Sequence, residues 1–265
     1  HISNPCNLFN IGSSIDLEAR KKISSLYLTD QYIPMLPKEV ISEANLKQNK
    51  VSKTISVSID FNKNGSINNY EIVEAIINPK YQLTYEDVNE IIELEPKEEK
   101  EIIELKQLLL KSFDYRKCNG AVSIDLPTCK IKLKKGKIII IKEYKSIAHI
   151  MVSEAMILMG YVSGLFLDNM NLPGAYRSQR LNCNPEEILN KYNNSEIKYI
   201  ILKQYMGKSY ISNKPNRHDS LGLSMYVQCT SPLRRYLDLI IQRQIYNKLT
   251  DNEVISGDFI SKIID

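Results

Sequence analysis

The stretch Thr230-Ser231-Pro232-Leu233-Arg234-Arg235-Tyr236-Leu237-Asp238 is the part of this 265-residue chain best suited to hold an anion. A hydroxyl residue and a proline suit the start and first turn of a helix, so a last helix is expected to begin at Pro232. Unpaired backbone N–H groups and the positive end of the helix dipole attract phosphate there, and a guanidinium holds two phosphate oxygens at once. The same residues also suit a capped surface helix in which Arg234 pairs with Asp238 one turn on.

Other chemistries find little support. Asp16, Asp60, Asp87, Asp125, Asp168, Asp238 and Asp251 are scattered singly, as caps, turn residues and surface charges usually are, and no metal ligand is assigned among them. His1, His149 and His218 are too few and too far apart for an imidazole metal site or a serine–histidine hydrolase, and His149 is expected to pack on its helix. No glycine-rich phosphate loop is present. Cys6, Cys118, Cys129, Cys183 and Cys229 are odd in number and form no CxxC pair, which argues against a disulfide framework and for the cytoplasm or an organelle interior.

The arginine stretch resembles the signature of the RNB family of exoribonucleases, which includes bacterial ribonucleases II and R. Further landmarks follow in family order along nearly the whole chain. They are His1-Ile2-Ser3-Asn4-Pro5, the run Gly12 to Arg20, Tyr27-Leu28 with Ile33-Pro34-Met35-Leu36-Pro37, Leu83-Thr84-Tyr85, Gly120-Ala121, Glu154-Ala155-Met156-Ile157, Tyr176-Arg177 and Leu221-Gly222-Leu223. Gln228 is similar to cyanobacterial and organellar members. Asn4 stands where the family usually has Asp, Ile124 stands near a second stacking phenylalanine of many members, and Arg217-His218-Asp219-Ser220 replaces a glycine-histidine segment.

The resemblance implies hydrolysis of single-stranded RNA from its 3′ end to nucleoside 5′-monophosphates, with two Mg²⁺ ions held by carboxylates. It implies that Arg234 is the catalytic arginine at the scissile phosphate and that Tyr27 stacks on the 3′-terminal base. Tyr85 would lie near a ribose, Glu154 close to the substrate, and Arg235, Tyr176 and Arg177 along the RNA channel. In the family the Asp-rich metal motif lies just upstream of the position matched by His1. The metal ligands are therefore expected outside this chain, which would be a catalytic domain truncated at both ends and inactive by itself. A non-catalytic RNA-binding protein that keeps the channel is the alternative.

The elements that must position these groups are mixed. After an opening strand, Asp16 is expected to cap a helix through Leu17, Ala19 and Ile23. Alternation from Thr54 to Phe61 and again from Ile67 to Ile77, around Asn64-Gly65, predicts a β-hairpin. Thr84 and Asp87 form a capping box for a helix to about Leu94, and a second helix is expected from Lys100 to Tyr115 beyond Pro96. Another hairpin joins Ile131–Leu133 to Ile138–Ile141 through Lys134-Lys135-Gly136-Lys137, and a long helix runs from Ile147 to Leu167. Tyr199 to Tyr205 reads as a short buried strand and Gly207 to Ser220 as a loop. The pattern predicts an α+β catalytic domain covering 1–265, its mixed or antiparallel sheet flanked by helices. With 43% hydrophobic residues a sizeable core is available, and the charge of +4 permits an RNA partner without requiring one. No apolar stretch is expected to reach the roughly 20 residues of a membrane span, and the protein is expected to act as a monomer away from membranes.

Overall fold

The apolar residues Ile55, Val57, Ile59 and Phe61 recur at every second position, which puts them on one face of an extended strand. That strand is the middle of the largest sheet. The computed structural model describes residues 1–134, 137–192 and 195–264. In chain order it runs β1 (Ile2–Ser3), α1 (Ser14–Lys22), β2 (Leu26–Tyr27), β3 (Tyr32–Ile33), α2 (Lys38–Ala44), β4 (Ser52–Phe61) and β5 (Ile67–Ile77). Next come α3 (Tyr85–Leu94), α4 (Lys100–Cys118), β6 (Thr128–Lys134), β7 (Lys137–Glu143) and α5 (Ile147–Asn169). The last part holds β8 (Tyr176–Ser178), α6 (Pro185–Lys191), α7 (Ser195–Tyr205), β9 (Tyr210–Ser212), α8 (Tyr236–Leu249) and α9 (Gly257–Ile264).

The sheet has the order β1-β4-β5 and is antiparallel throughout, with Ile2 opposite Ile55 and Val57 opposite Ile72. Three further two-stranded ribbons pair β2 with β3, β6 with β7 and β8 with β9. This is the expected α+β arrangement. Gly65 makes the β4–β5 turn possible, since its φ is +85° and a Cβ there would lie 2.3 Å from the Lys111 carbonyl oxygen. The central residues of the β6–β7 turn, Lys135 and Gly136, lie outside the described residues.

Two helices carry the core. On α8, Tyr236 and every residue from Asp238 to Ile245 are buried, so this helix is enclosed on all sides rather than one-faced. On α5, Val162, Phe166 and Leu167 join Ile55 and Ile72 of the sheet and Leu239, Ile240 and Ile241 of α8 in one cluster. A second cluster of Leu109, Met151 and Leu158 fastens α4 to α5. At 23 residues, with a mean hydropathy of 1.8 over its most apolar 18-residue window, α5 reaches the length and composition of a membrane span, contrary to the expectation from its interrupting Glu and Gly residues. Here 56% of its most apolar window is packed inside the protein.

The sequence expectations hold for the β4–β5 hairpin and for α3, where the Thr84–Asp87 capping box is formed. Elsewhere they need correction. Residues 199–205 lie in helix α7, because a short apolar run has no period of its own and here it packs Leu202 inward from a helical face. The supposed loop from Gly207 contains β9, which pairs with β8. Ser13, not Asp16, caps α1, and Asp16 lies within the helix with its Oδ2 accepting from the Gly12 N–H at 2.9 Å.

Candidate nucleic-acid interface

The arginine stretch does not open α8 at Pro232. Residues 232–234 form a turn in which the Arg234 and Arg235 N–H groups donate to the Ser231 carbonyl at 3.2 and 3.0 Å, and α8 begins only at Tyr236. The Tyr236 N–H donates to the Ile23 carbonyl at 2.8 Å, so the leading backbone donor of the helix is already used.

The two arginines divide their work. Arg235 donates from Nη2 to Asp238 Oδ2 at 2.7 Å, and the same oxygen accepts from the Ser231 N–H at 2.9 Å. Burial pushes the Asp238 carboxyl up in pKa, against the pull of Arg235. The pairing expected of Arg234 thus belongs to Arg235, which as the N-cap residue of α8 stands three positions before Asp238, whereas Arg234 sits in the preceding turn. Arg234 is exposed, and among the described residues it has no ion pair with a carboxylate.

Tyr27 meets Arg234 through the junction between α1 and β2. The Ser25 N–H donates to the Arg234 carbonyl at 2.9 Å, and Ser24 bridges to Arg235. Ile23, just before, is held at φ +62°, a conformation a β-branched residue rarely adopts and one that costs about 1–3 kcal/mol. Its carbonyl anchors α8, so the strained residue joins the aromatic and cationic parts of the site. Tyr27 is 63% exposed. Desolvation raises its pKa first, the neighbouring Tyr32 raises it further, and the Arg234 guanidinium beside its hydroxyl lowers it. Tyr32 is the member of this cluster that the sequence reading missed. It is the cross-strand partner of Tyr27, and reading Tyr27-Leu28 and Tyr32-Ile33 as a hairpin would have paired them.

Tyr85 and Glu154 belong to a different region. Tyr85 stacks on His149 with ring centroids 3.8 Å apart, while His149 Nδ1 faces the Ser146 hydroxyl at 2.8 Å. Tyr85 lines an apolar groove of 680 Å³ with Leu83, Val88, Ile102, Met151 and Val152, and neither Tyr27 nor Arg234 borders it. Tyr85 and the Tyr27–Arg234 pair therefore border different parts of the surface. Glu154 is 1% exposed and fully engaged, with Oε1 accepting from Arg116 Nε at 2.9 Å and from the Ser112 hydroxyl at 2.8 Å. Arg116 Nη2 donates to Oε2, and Nη1 donates to the Leu221 carbonyl at 2.7 Å. A forked, buried ion pair of this kind leaves little capacity for a ligand. Arg116 was not found from sequence, since only the packing of α4 on α5 brings it to Glu154.

Tyr176 and Arg177 sit on β8. The Tyr176 ring is 2% exposed and belongs to the core, so a direct contact with a ligand is closed to it. Arg177 donates to Gln228 Oε1 at 3.2 Å and to the Ser209 hydroxyl at 2.7 Å. Burial, with the Arg177 charge second, pushes the nearby His218 imidazole down to about 4. Burial likewise pushes the Tyr226 phenol up to about 12, with Cys229 and Asp238 adding to it and Arg235 and Arg177 opposing. The Arg177 N–H donates to the Tyr226 carbonyl at 2.8 Å.

A divalent metal would need clustered carboxylates. Among the described residues no group of three His, Cys, Asp or Glu side chains is placed to hold one. Asp16 is already bound by the Gly12 N–H and the Tyr236 hydroxyl, and Asp238 by Arg235 and Ser231. These residues do not fit a two-metal site.

The RNB domain family matches residues 1–251. An uncharacterized ribonuclease of Synechocystis is 32% identical over 268 aligned residues, covering 100% of this chain and 40% of that protein. An active-site mutant of the Dss1 exoribonuclease from Candida glabrata superposes with a TM-score of 0.90 at 22% identity, over 100% of this chain and 38% of that one. Mycoplasma genitalium RNase R in complex with ribose-methylated single-stranded RNA gives 0.80 at 22%, over 98% of this chain and 47% of that one. Yeast Ssd1, a pseudonuclease, gives 0.71 at 16%, over 97% and 36%. These structures share the fold, and the chain spans less than half the length of each of these proteins.

Proposed function

Because this chain belongs to the RNB domain family, we propose that it forms part of a 3′-to-5′ exoribonuclease that hydrolyses single-stranded RNA to nucleoside 5′-monophosphates. The observation that carries the proposal is the meeting of an exposed aromatic ring, Tyr27, with an exposed arginine free of carboxylate partners, Arg234. Stacking on a phenol is indifferent to base identity, because every base has a π face. A guanidinium beside it donates to phosphate oxygens and stabilises the charge that develops on them as the ester bond breaks. Arg235 supports Arg234 by fixing the turn before α8 through Asp238. Tyr85, 40% exposed, is assigned to a ribose farther along the strand. Glu154 and Tyr176 act indirectly, Glu154 by fastening α4 to α5 and Tyr176 by seating β8 on the core, while Arg177 lies along the RNA path.

Mg²⁺ is the metal proposed for the reaction, with its carboxylates supplied from outside these residues. The protein is proposed to act as a monomer in a reducing compartment, where cysteines such as the buried Cys6 and Cys229 stay as thiols.

A 5′-labelled single-stranded RNA, incubated in Mg²⁺ with the longer protein that carries this domain, is expected to shorten one nucleotide at a time from its 3′ end. Arg234→Ala should slow the reaction roughly 100-fold. Internal cleavage, or an unchanged rate after Arg234→Ala, would contradict the proposal. A second reading, a non-catalytic RNA-binding protein, is favoured by the lack of a carboxylate cluster among the described residues. A fold shared with a pseudonuclease is compatible with it. It predicts salt-sensitive RNA binding with no shortening at all.

A further inference from the structure

Two exposed tyrosines face each other at the tip of a very short hairpin. Tyr27 and Tyr32 are cross-strand partners on β2 and β3, with ring centroids 4.9 Å apart and planes tilted by 31°. They are 63% and 48% exposed, so neither ring is placed there to fill the core. The strands themselves are two residues long, and the turn between them is closed by the Leu28 N–H donating to the Gln31 carbonyl at 2.9 Å. A ribbon that short does little to fix an exposed side chain.

Something else fixes these rings. The Ser25 hydroxyl lies 3.5 Å from the Tyr32 hydroxyl and accepts from the Met35 N–H at 2.9 Å. Met35 is fully buried, so Ser25 is tied to the core. The Ser25 N–H also holds the Arg234 carbonyl. One buried serine therefore sets the position of the Tyr32 side chain and of the Arg234 backbone together. Tyr32 packs against Tyr27, whose side chain is still 63% exposed, and the Arg234 backbone is tied to the same Ser25.

We propose that Tyr32 is a positioning residue for the RNA end: it holds the Tyr27 ring at a fixed angle next to Arg234, so that a terminal base stacks while its phosphate meets the guanidinium. The gain is preorganisation, since a lone exposed tyrosine would lose rotamer freedom on every binding event and a buttressed one does not. This inference rests on the reading that Tyr27 and Arg234 contact RNA, and the test separates the two.

Residues 1–265 are titrated, in EDTA to prevent cleavage, against a short single-stranded RNA carrying 2-aminopurine either at its 3′ terminus or near its middle. The wild-type protein should quench the terminal label strongly. Tyr32→Leu should weaken the terminal response about fivefold or more and leave the internal one nearly unchanged, while Tyr32→Phe, which keeps the ring but loses the hydroxyl that faces Ser25, should fall between Tyr32→Leu and the wild type. Tyr32→Thr, suited to an exposed strand, replaces Tyr32→Leu if the leucine variant melts early. Loss of terminal quenching in Tyr27→Leu with none in either Tyr32 variant would overturn the role of Tyr32 and leave the RNA reading intact. An equal loss at both labels would also overturn it, as general damage to binding. No binding by the wild-type chain would remove the RNA reading and this inference with it.

Discussion

Arg234 and Arg235 are adjacent in sequence and opposite in circumstance. Asp238 and the turn at Ser231 hold Arg235, which leaves Arg234 as the exposed cation beside Tyr27. The arginine motif drew attention to both arginines, and the family resemblance named Arg234 as catalytic and Tyr27 as the stacking residue, but spacing alone could not show which arginine Asp238 holds, because that depends on a helix that starts at Tyr236 instead of Pro232. His218 gives a test at the same scale. Its imidazole is pushed down from 6.5 to about 4 by burial first and by the Arg177 charge second, so it is neutral in the folded protein at neutral pH. Below about pH 6.5 the unfolded chain takes up a proton that the folded chain refuses until about pH 4. Its contribution to stability is therefore full above that window and is lost as the pH falls through it. Urea unfolding at pH 7 and pH 5 should show a loss of about 2 kcal/mol that is absent in His218→Gln. Parallel pH dependence in the two proteins would refute this.

Among the elements, α4 and α5 are joined by the buried Arg116–Glu154 fork as well as by Leu109, Met151 and Leu158. Removing one partner of a buried ion pair strands the other, so Glu154→Gln should destabilise the fold by about 3 kcal/mol. RNA binding measured well below the melting temperature should change less than about twofold. A large loss of RNA affinity with unchanged stability would instead restore Glu154 to the substrate. The elements themselves were largely legible in the sequence. The Thr84 capping box, the alternation in β4 and the long apolar run of α5 are local signals, and local chemistry decides them. The segment 199–205 was misread because seven residues with apolar character fit a buried strand or a helix equally well until Leu202 finds its packing site. The Arg116–Glu154 and Tyr27–Tyr32 pairs were missed for a related reason. One depends on how two helices pack and the other on the register of a hairpin, and neither leaves a periodic trace in sequence.

At the scale of the whole molecule, α8, buried from Asp238 to Ile245, and the largely buried α5 form the centre, and the Tyr27–Arg234 groups sit where segments converge on the start of α8. The start of α8 receives the α1–β2 junction through Ile23 and Ser25, which brings residues some 200 positions apart in sequence to one surface. Tyr85 and its apolar groove lie on the α3–α4–α5 side, apart from that surface, so a continuous RNA path would require more than these residues. The central claim, that the Tyr27–Arg234 surface receives single-stranded RNA, is tested most directly by fluorescence anisotropy of residues 1–265 with a labelled single-stranded RNA in EDTA across a range of salt concentrations. Binding should weaken with salt, and Arg234→Ala should weaken it about tenfold further while flattening the salt dependence by about one phosphate contact. Equal affinity and equal salt dependence for the wild-type and Arg234→Ala proteins would contradict the claim.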